Sequence, residues 1–269
     1  MKILKTLVAG AMLVAAFAGL SNGASAQENS LQRIKQAGSI KIGLEFGRPP
    51  WGYKDENLSM SGYDMEVAKL LAQDLGVKLE IIELTGPNRA PFLLSNRVDA
   101  VISTFAITSE REKVVDFSVP YSSLLAAVAA PAAMKIKDGN DLAGIRVGVT
   151  RGSTSDLYLT QQAPKADIVR FDDDATTNTS MTSNQLDVVA GEPIMLVRLA
   201  KNLPQKNLEQ KFVLKETFAA VGLRKNEPQL KEWVNNWVRE NLRNGRFDNL
   251  FKKFFGEGLS EAVLAGGKG

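Results

Sequence analysis

Twice along this chain, apolar residues that alternate every second position give way to apolar residues that repeat every three or four. That switch narrows the available folds. In the first instance Ile40, Ile42 and Leu44 alternate with Lys41 and Gly43, the period of a half-buried strand. The loop Gly47-Arg48-Pro49-Pro50-Trp51-Gly52 follows, since paired prolines suit neither helix nor ladder. A helix is then expected, capped by Asp64, with Val67, Leu70, Leu71 and Leu75 on one face and Gly76 at its end. Val77, Leu79 and Ile81 resume the alternation, Pro91 opens another helical segment, and Val98 to Ser103 reads as a buried strand. The second instance begins after Pro131. Ile145, Val147 and Val149 lead into Arg151-Gly152-Ser153-Thr154-Ser155-Asp156, where Ser153 and Asp156 have the spacing of a capping box. Ile168 to Phe171 and Leu186 to Ala190 supply further strands, with a polar helix between them. Alternation of this kind specifies an α/β fold, a mostly parallel sheet with helices on its faces.

The alanine-rich stretch Leu124 to Ala133 lies between the two units and is read as a strand joining them. Later, Leu230, Trp233, Val234, Trp237, Val238 and Leu242 repeat at helical spacing, as do Phe247, Leu250, Phe251, Phe254 and Phe255. These stripes are assigned to core rather than to a binding surface.

The first residues bear on where the rest must work. Lys2 and Lys5 precede an apolar run from Leu7 to about Leu20, and small residues then end in Ala24-Ser25-Ala26. This is the layout of a secretory signal peptide cleaved after Ala26, and its apolar core is shorter than the roughly 20 residues a membrane span needs. The expected location is the periplasm. Without the two signal lysines the charge falls close to zero, and no Lys/Arg stripe is present, so nucleic acid is not an expected partner. The chain has no cysteine and no histidine. Those absences remove disulfides, a lipidated cysteine anchor, thiol nucleophiles, Ser-His-Asp triads and the commonest metal ligands, so neither a metal nor a cofactor is expected.

Four places carry possible chemistry, each with an ordinary structural alternative. Arg111, in Thr108-Ser109-Glu110-Arg111, is either a surface salt-bridge residue or a planar fork for a carboxylate. The Ser153-Thr154 loop is either a plain helix cap or a helix start that presents N–H groups to an anion. Glu45 and Glu192 each follow an expected strand, where open α/β sheets place their ligand crevices, although single loop glutamates are usually solvated. Together, two carboxylates and two anion-binding features are what a zwitterion requires.

The chain resembles the amino-acid-binding family of ABC-transporter solute-binding proteins over essentially its whole length after the signal. The residues that carry the resemblance begin with Pro49-Pro50-Trp51, Gly62-Tyr63-Asp64, Asn88-Arg89 before Pro91, and Thr108-Ser109-Glu110-Arg111 through Asp116-Phe117-Ser118 to Pro120-Tyr121. Further matches are Gly148-Val149 before Gly152-Ser153-Thr154-Ser155-Asp156, Leu186-Asp187-Val188-Val189 and Asn244-Gly245-Arg246. The resemblance implies a two-lobed, type II periplasmic-binding-protein fold with two hinge strands and a ligand cleft between the lobes. Lobe 1 would comprise 27–120 and 219–269, and lobe 2 would comprise 121–218, with hinges near Tyr121 to Leu125 and Glu216 to Ala220. It further implies that Arg111 grips the ligand's α-carboxylate with help from Ser103, Thr104 and Ala106, that Ser153 and Thr154 contribute from lobe 2, and that Glu45 and Glu192 hold the ammonium. Trp51 and Arg48 complete the expected ligand-binding set; Arg48 either meets an acidic or polar side chain or lies in solvent.

The departures from the family pattern are specific. Ala106 stands where many relatives carry Ser or Thr, the two glutamates stand where Asp is common, and Arg48 and Gly86 stand where several relatives carry stacking aromatics. The implied function is capture of a free polar or acidic amino acid by a monomer that delivers it to an inner-membrane ABC permease, without catalysis. Two alternatives share the fold: a dehydratase-like enzyme using Glu192 as general acid, and a ligand sensor feeding a receptor.

Overall fold

The computed structural model describes residues 29–268. The expected signal peptide and its cleavage after Ala26 lie outside the described residues. Ten strands follow in chain order: β1 (Ser39–Leu44), β2 (Tyr53–Lys54), β3 (Met60–Ser61), β4 (Lys78–Glu83), β5 (Ala100–Val101), β6 (Asp116–Pro131), β7 (Arg146–Thr150), β8 (Asp167–Phe171), β9 (Val188–Gly191) and β10 (Leu208–Leu223). The α-helices are α1 (Ser30–Ala37), α2 (Tyr63–Leu75), α3 (Arg89–Leu94), α4 (Ser109–Glu112), α5 (Thr154–Gln162), α6 (Asp174–Thr182), α7 (Pro193–Asn202), α8 (Pro228–Arg243), α9 (Arg246–Phe255) and α10 (Glu261–Ala265).

Eight strands form one sheet in the order β4-β1-β5-β10-β6-β9-β7-β8, and β2 pairs separately with β3. The outer strands on each side are parallel, whereas β10 and β6 run antiparallel down the middle. Those two strands are long enough to serve both halves of the molecule. Residues near one end pair β10 to β5, and residues near the other pair β6 to β9. The result is two lobes on a shared central ribbon.

Strand alternation sorts the side chains into cores on both faces of each lobe. In the first lobe Ile40, Ile42, Leu44, Ala100 and Ile102 join the core built with α2, α8 and α9, while Val101 joins Leu84, Leu93 and Phe105 on the other face. In the second lobe Val128, Val147, Val149 and Val188 face one way, and Ala127, Ala129 and Val189 face the other. The Trp and Phe stripes of α8 and α9 are core as expected. Leu230, Val234, Trp237, Phe247 and Phe251 are buried, and Trp51, Tyr63, Phe251 and Phe255 make edge and stacked ring contacts with one another.

Local expectations fail in instructive places. Asp64 is not the cap of α2: the helix starts at Tyr63 after Gly62, and the Asp64 carboxylate turns inward. The strand expected over Val98 to Ser103 shrinks to two residues, because the chain leaves the sheet early to form the cleft floor. The strand expected from Leu124 to Ala133 is instead β6, starting at Asp116 and ending at Pro131. Between the lobes its register to β10 slips, with Ser122 opposite Ala219 but Pro120 opposite Ala220, leaving Tyr121 outside the pairing.

Candidate functional site

The C-terminal ends of the strands converge on the gap between the lobes. Glu45 immediately follows β1, Ser103 and Thr104 follow β5 closely, Gly152 and Ser153 follow β7, and Glu192 immediately follows β9. This is the edge at which open α/β sheets form their crevices. Two glycines bring the first of these segments into shape. A Cβ on Gly52 would lie 2.2 Å from the Glu45 carbonyl oxygen, and one on Gly62 (φ +122°) would lie 2.2 Å from that of Trp51. Only glycine permits both approaches.

Three arginines project from the first lobe. Arg48 is buried and bridges the lobes: Nη1 donates to Thr104 Oγ1 (3.0 Å), Nη2 to Glu192 Oε1 (2.5 Å), and Nε lies 2.8 Å from Asp174 Oδ2. Burial works against its charge, yet Asp174, Glu192, Glu45 and Asp64 outweigh burial and raise its pKa above the ordinary arginine value. Arg89, at the start of α3, is fully enclosed. Its Nη2 donates to Glu45 Oε2 (2.7 Å) and to Thr104 Oγ1 (3.2 Å), and burial lowers its pKa against the pull of Glu45.

Arg111 differs from both. Its Nη1 donates to the Ala106 carbonyl (2.8 Å) and its Nη2 crosses to the Gly152 carbonyl (2.7 Å), while its guanidinium carbon sits 5.1 Å from the Phe105 ring centre. Burial, with Arg89 and Arg48 as neighbouring like charges, pushes its pKa well below the arginine range. Carbonyl dipoles offset a full charge only in part. A carboxylate is the group that would offset it fully.

The opposite wall offers acceptors. Glu192 takes Arg48 on Oε1 and the Trp51 indole N–H on Oε2 (2.5 Å), and burial raises its pKa against the attraction of Arg48. Asp174 also accepts from the Thr150 hydroxyl. A small cavity of about 30 Å³ lies behind Arg48 and Glu192, lined on the second-lobe side by Thr150, Asp174, Asn178 and Met195.

All ten expected site residues lie around this gap, in different roles. Glu45, Arg48 and Glu192 form the charged network, joined through the Thr104 hydroxyl, and Arg111 stands beside it bonded to the Ala106 and Gly152 carbonyls. Ser103 accepts the Glu45 N–H (3.2 Å), and Ala106 contributes its carbonyl. Trp51 reaches the gap only by its indole N–H, since its ring packs in the first-lobe core. Ser153 caps α5 by accepting the Asp156 N–H (3.1 Å), and Thr154 is the first helical residue. The capping box is altered: the Asp156 carboxylate returns to the Gly152 N–H (2.9 Å) rather than to that of Ser153. Glu45 and Glu192, expected as bare carboxylates for an ammonium, each already carry an arginine.

Three charged residues of the network were not anticipated. Arg89 stood within a noted motif, but a single arginine before a helix gives no hint of its partner. Asp64 read as a cap, and Asp174 as one acid among three in a row (Asp172 to Asp174). Only the fold places them against Arg48.

The sequence pattern of the bacterial extracellular solute-binding proteins, family 3, matches residues 40–257. The chain belongs to that family. Among curated relatives, the L-cystine-binding protein TcyJ of Escherichia coli strain K12 is 31% identical over 258 residues, covering 94% of this chain and 96% of its own length. Among solved structures, the solute receptor for L-cysteine of Neisseria gonorrhoeae is 30% identical with a TM-score of 0.78, covering 84% of this chain and 93% of its own. The ancestral amino acid-binding protein AncCDT-1, described as a precursor of cyclohexadienyl dehydratase, is 31% identical with a TM-score of 0.75, covering 84% of this chain and 99% of its own. As in this type II periplasmic-binding-protein fold generally, two α/β lobes flank a cleft and are joined by two central strands. Among the described residues, no helix is long and apolar enough to cross a membrane.

Proposed function

We propose that this family 3 protein is the periplasmic amino-acid-binding component of an ABC importer, closing its lobes on a free amino acid and delivering it to an inner-membrane permease. The observation that carries the reading is Arg111. Its guanidinium spans the gap, donates to two carbonyl oxygens and no carboxylate, and faces two like charges, so the ligand's α-carboxylate is its natural partner. Glu45 and Glu192 would share their free lone pairs with the α-ammonium, and the Ser153-Thr154 helix start would add donors to the carboxylate. The mobile units would be 27–120 with 219–269, and 121–218, turning about the Tyr121 to Leu125 and Glu216 to Ala220 segments, within which Ser122 to Leu125 of β6 pair with Glu216 to Ala219 of β10.

The charges favour a polar side chain over an acidic one. Arg48 is matched by Glu192 and Asp174, and Arg89 by Glu45, so neither of the two arginines beside Arg111 is left for a second carboxylate. Charge-assisted hydrogen bonds contribute about 1.5–3 kcal/mol each, and several of them outweigh the ordering and desolvation costs of a small ligand. The protein is read as a binder without turnover. The dehydratase-like alternative rests on Glu192, a buried carboxyl with a raised pKa at the cleft wall, and on the likeness to AncCDT-1.

A thermal-shift panel of the common amino acids with L-cystine tests the reading. A ligand at 1,000 times its Kd adds about 4 kcal/mol of stability. The expected result is a clear shift with one or a few polar amino acids and no consumption of them. No shift with any amino acid would remove the proposal, and turnover of a prephenate-like acid would replace it with the enzymatic reading.

A further inference from the structure

Beneath the cleft floor lies a carboxylate that takes no part in the contacts across the gap. Asp64 is 2% exposed, and its two oxygens serve different elements. Oδ2 accepts the backbone N–H of Thr104 at 2.8 Å, and Oδ1 accepts the hydroxyl of Tyr121 at 2.8 Å. Thr104 has φ +44°, the left-handed region. The other non-glycine residues found there among the described residues are Leu58 and four asparagines, which makes Thr104 the sole β-branched one. A β-branched side chain avoids this backbone unless the surroundings impose it.

The imposed turn has a use. It directs the Thr104 hydroxyl to Arg48 (3.0 Å) and Arg89 (3.2 Å), the two arginines beside Arg111. The residues that follow are stitched to β10: Phe105 accepts the Ala220 N–H (3.1 Å), Ala106 bridges to Ala219, and Ile107 donates to Phe218 (2.9 Å). Tyr121, on the other side of Asp64, is the β6 residue at which the pairing between the central strands slips. Its backbone carbonyl also accepts the Tyr63 hydroxyl at 3.1 Å.

We infer that Asp64 is a positioning residue for the binding loop: its carboxylate holds the left-handed turn at Thr104 and ties that turn to the hinge through Tyr121. The inference rests on the proposed reading of the cleft as the amino-acid site. Asp64 touches no ligand in this account and acts through Thr104. The titratable and charged groups facing it are Tyr121 from β6, Arg48 from the loop after β1, Arg89 from α3 and its own neighbour Tyr63. Burial raises the Asp64 pKa to about 7, against the hydrogen bonds from Tyr121 and Thr104 and the charges of Arg89 and Arg48. Protonation replaces an acceptor lone pair by a donor, so the hold on Thr104 weakens as the pH falls through that range.

Isothermal titration with L-glutamine, L-glutamate and L-cystine, on the full chain and its variants, tests the assignment. For whichever of these the wild type binds, Asp64→Ala is expected to weaken binding at least tenfold at pH 8. Asp64→Asn, which keeps an acceptor for the Thr104 N–H, is expected to remain within about threefold. Wild-type affinity should fall between pH 8 and pH 6 while that of Asp64→Asn stays level. Thr104→Gly adopts the turn without help, so Asp64→Ala with Thr104→Gly should bind no worse than Thr104→Gly alone. A merely structural role would lower melting temperature without that rescue. Wild-type affinity in Asp64→Ala, or losses that multiply in the double variant, overturns the inference while leaving the proposed function standing. If the wild type binds none of the three probes, a crystal structure of Asp64→Ala decides. Thr104 relaxing to negative φ supports the assignment, and Thr104 staying near +44° overturns it.

Discussion

The two walls of the cleft are built from opposite chemistry. The first lobe contributes the guanidiniums of Arg48, Arg89 and Arg111; its Glu45 carboxylate takes Arg89, its Thr104 hydroxyl takes Arg48 and Arg89, and its Asp64 carboxylate holds Thr104. The second lobe contributes acceptors, the Glu192 and Asp174 carboxylates and the Gly152 carbonyl. The first wall is tied together within one lobe, as a proposed first contact for the ligand would require. In the second, Asp174 keeps the Thr150 hydroxyl of its own lobe, whereas the side-chain partners of Glu192, Arg48 and Trp51, lie across the gap. A zwitterion would therefore be recognised on the first lobe and enclosed by the second, with closure drawn by charges that belong to the protein as well as by the ligand.

Removing one element from each wall should give different kinds of loss. The largest is expected for Arg111→Ala. It strips the cation proposed for the α-carboxylate and should cost about 3 kcal/mol or more, upwards of ~100-fold in affinity, measured by titration calorimetry. Its melting temperature should stay close to wild type, because Arg111 bonds only two carbonyls. Next is Glu192→Gln, which leaves Arg48 with Asp174 alone and weakens the grip between lobes. About a tenfold loss of affinity is expected, with a larger radius of gyration by small-angle scattering in the presence of amino acid. Equal losses of affinity with no change in scattering would erase the distinction between the walls.

A third test concerns the floor beneath the first wall. The Asp64 pKa is raised to about 7 in the fold, above its unfolded value near 4, so its contribution to stability is complete below about pH 4 and is lost as pH rises through 7. Asp64→Asn removes the titration. Its melting temperature should exceed wild type at pH 8, with the advantage shrinking at pH 5. A constant difference across that range would contradict the burial cause. The smallest effect is expected at Ser153→Ala, which deletes the cap of α5 in the second wall. It should cost about 1 kcal/mol, a fall of a few degrees in melting temperature, with affinity reduced severalfold at most.

The frame of the molecule was legible because it depends on periodicity. Ile40, Ile42 and Leu44, Val147 and Val149, and the α8 stripe each announce strand or helix without reference to anything distant. The positions of Glu45 and Glu192 at strand ends were legible for the same reason. What they bond to was not. The Arg48 to Glu192 pair is 144 residues apart in sequence, and Arg89 to Glu45 is 44 apart, so their meeting depends on how strands order within the sheet. Thr104 was visible as a polar residue after a strand, but its left-handed backbone follows from Asp64, forty residues earlier, whose helical surroundings made it look like a cap. Residues whose role is set by tertiary partners are the ones a linear reading misassigns.

The proposed contact between Arg111 and the ligand's α-carboxylate is examined directly by a crystal structure with a bound amino acid. The ligand's α-carboxylate should lie within about 3 Å of the Arg111 guanidinium nitrogens, with its ammonium between Glu45 and Glu192. A carboxylate held by Arg48 or Arg89 instead, with Arg111 still bonded to the Ala106 and Gly152 carbonyls alone, would contradict it.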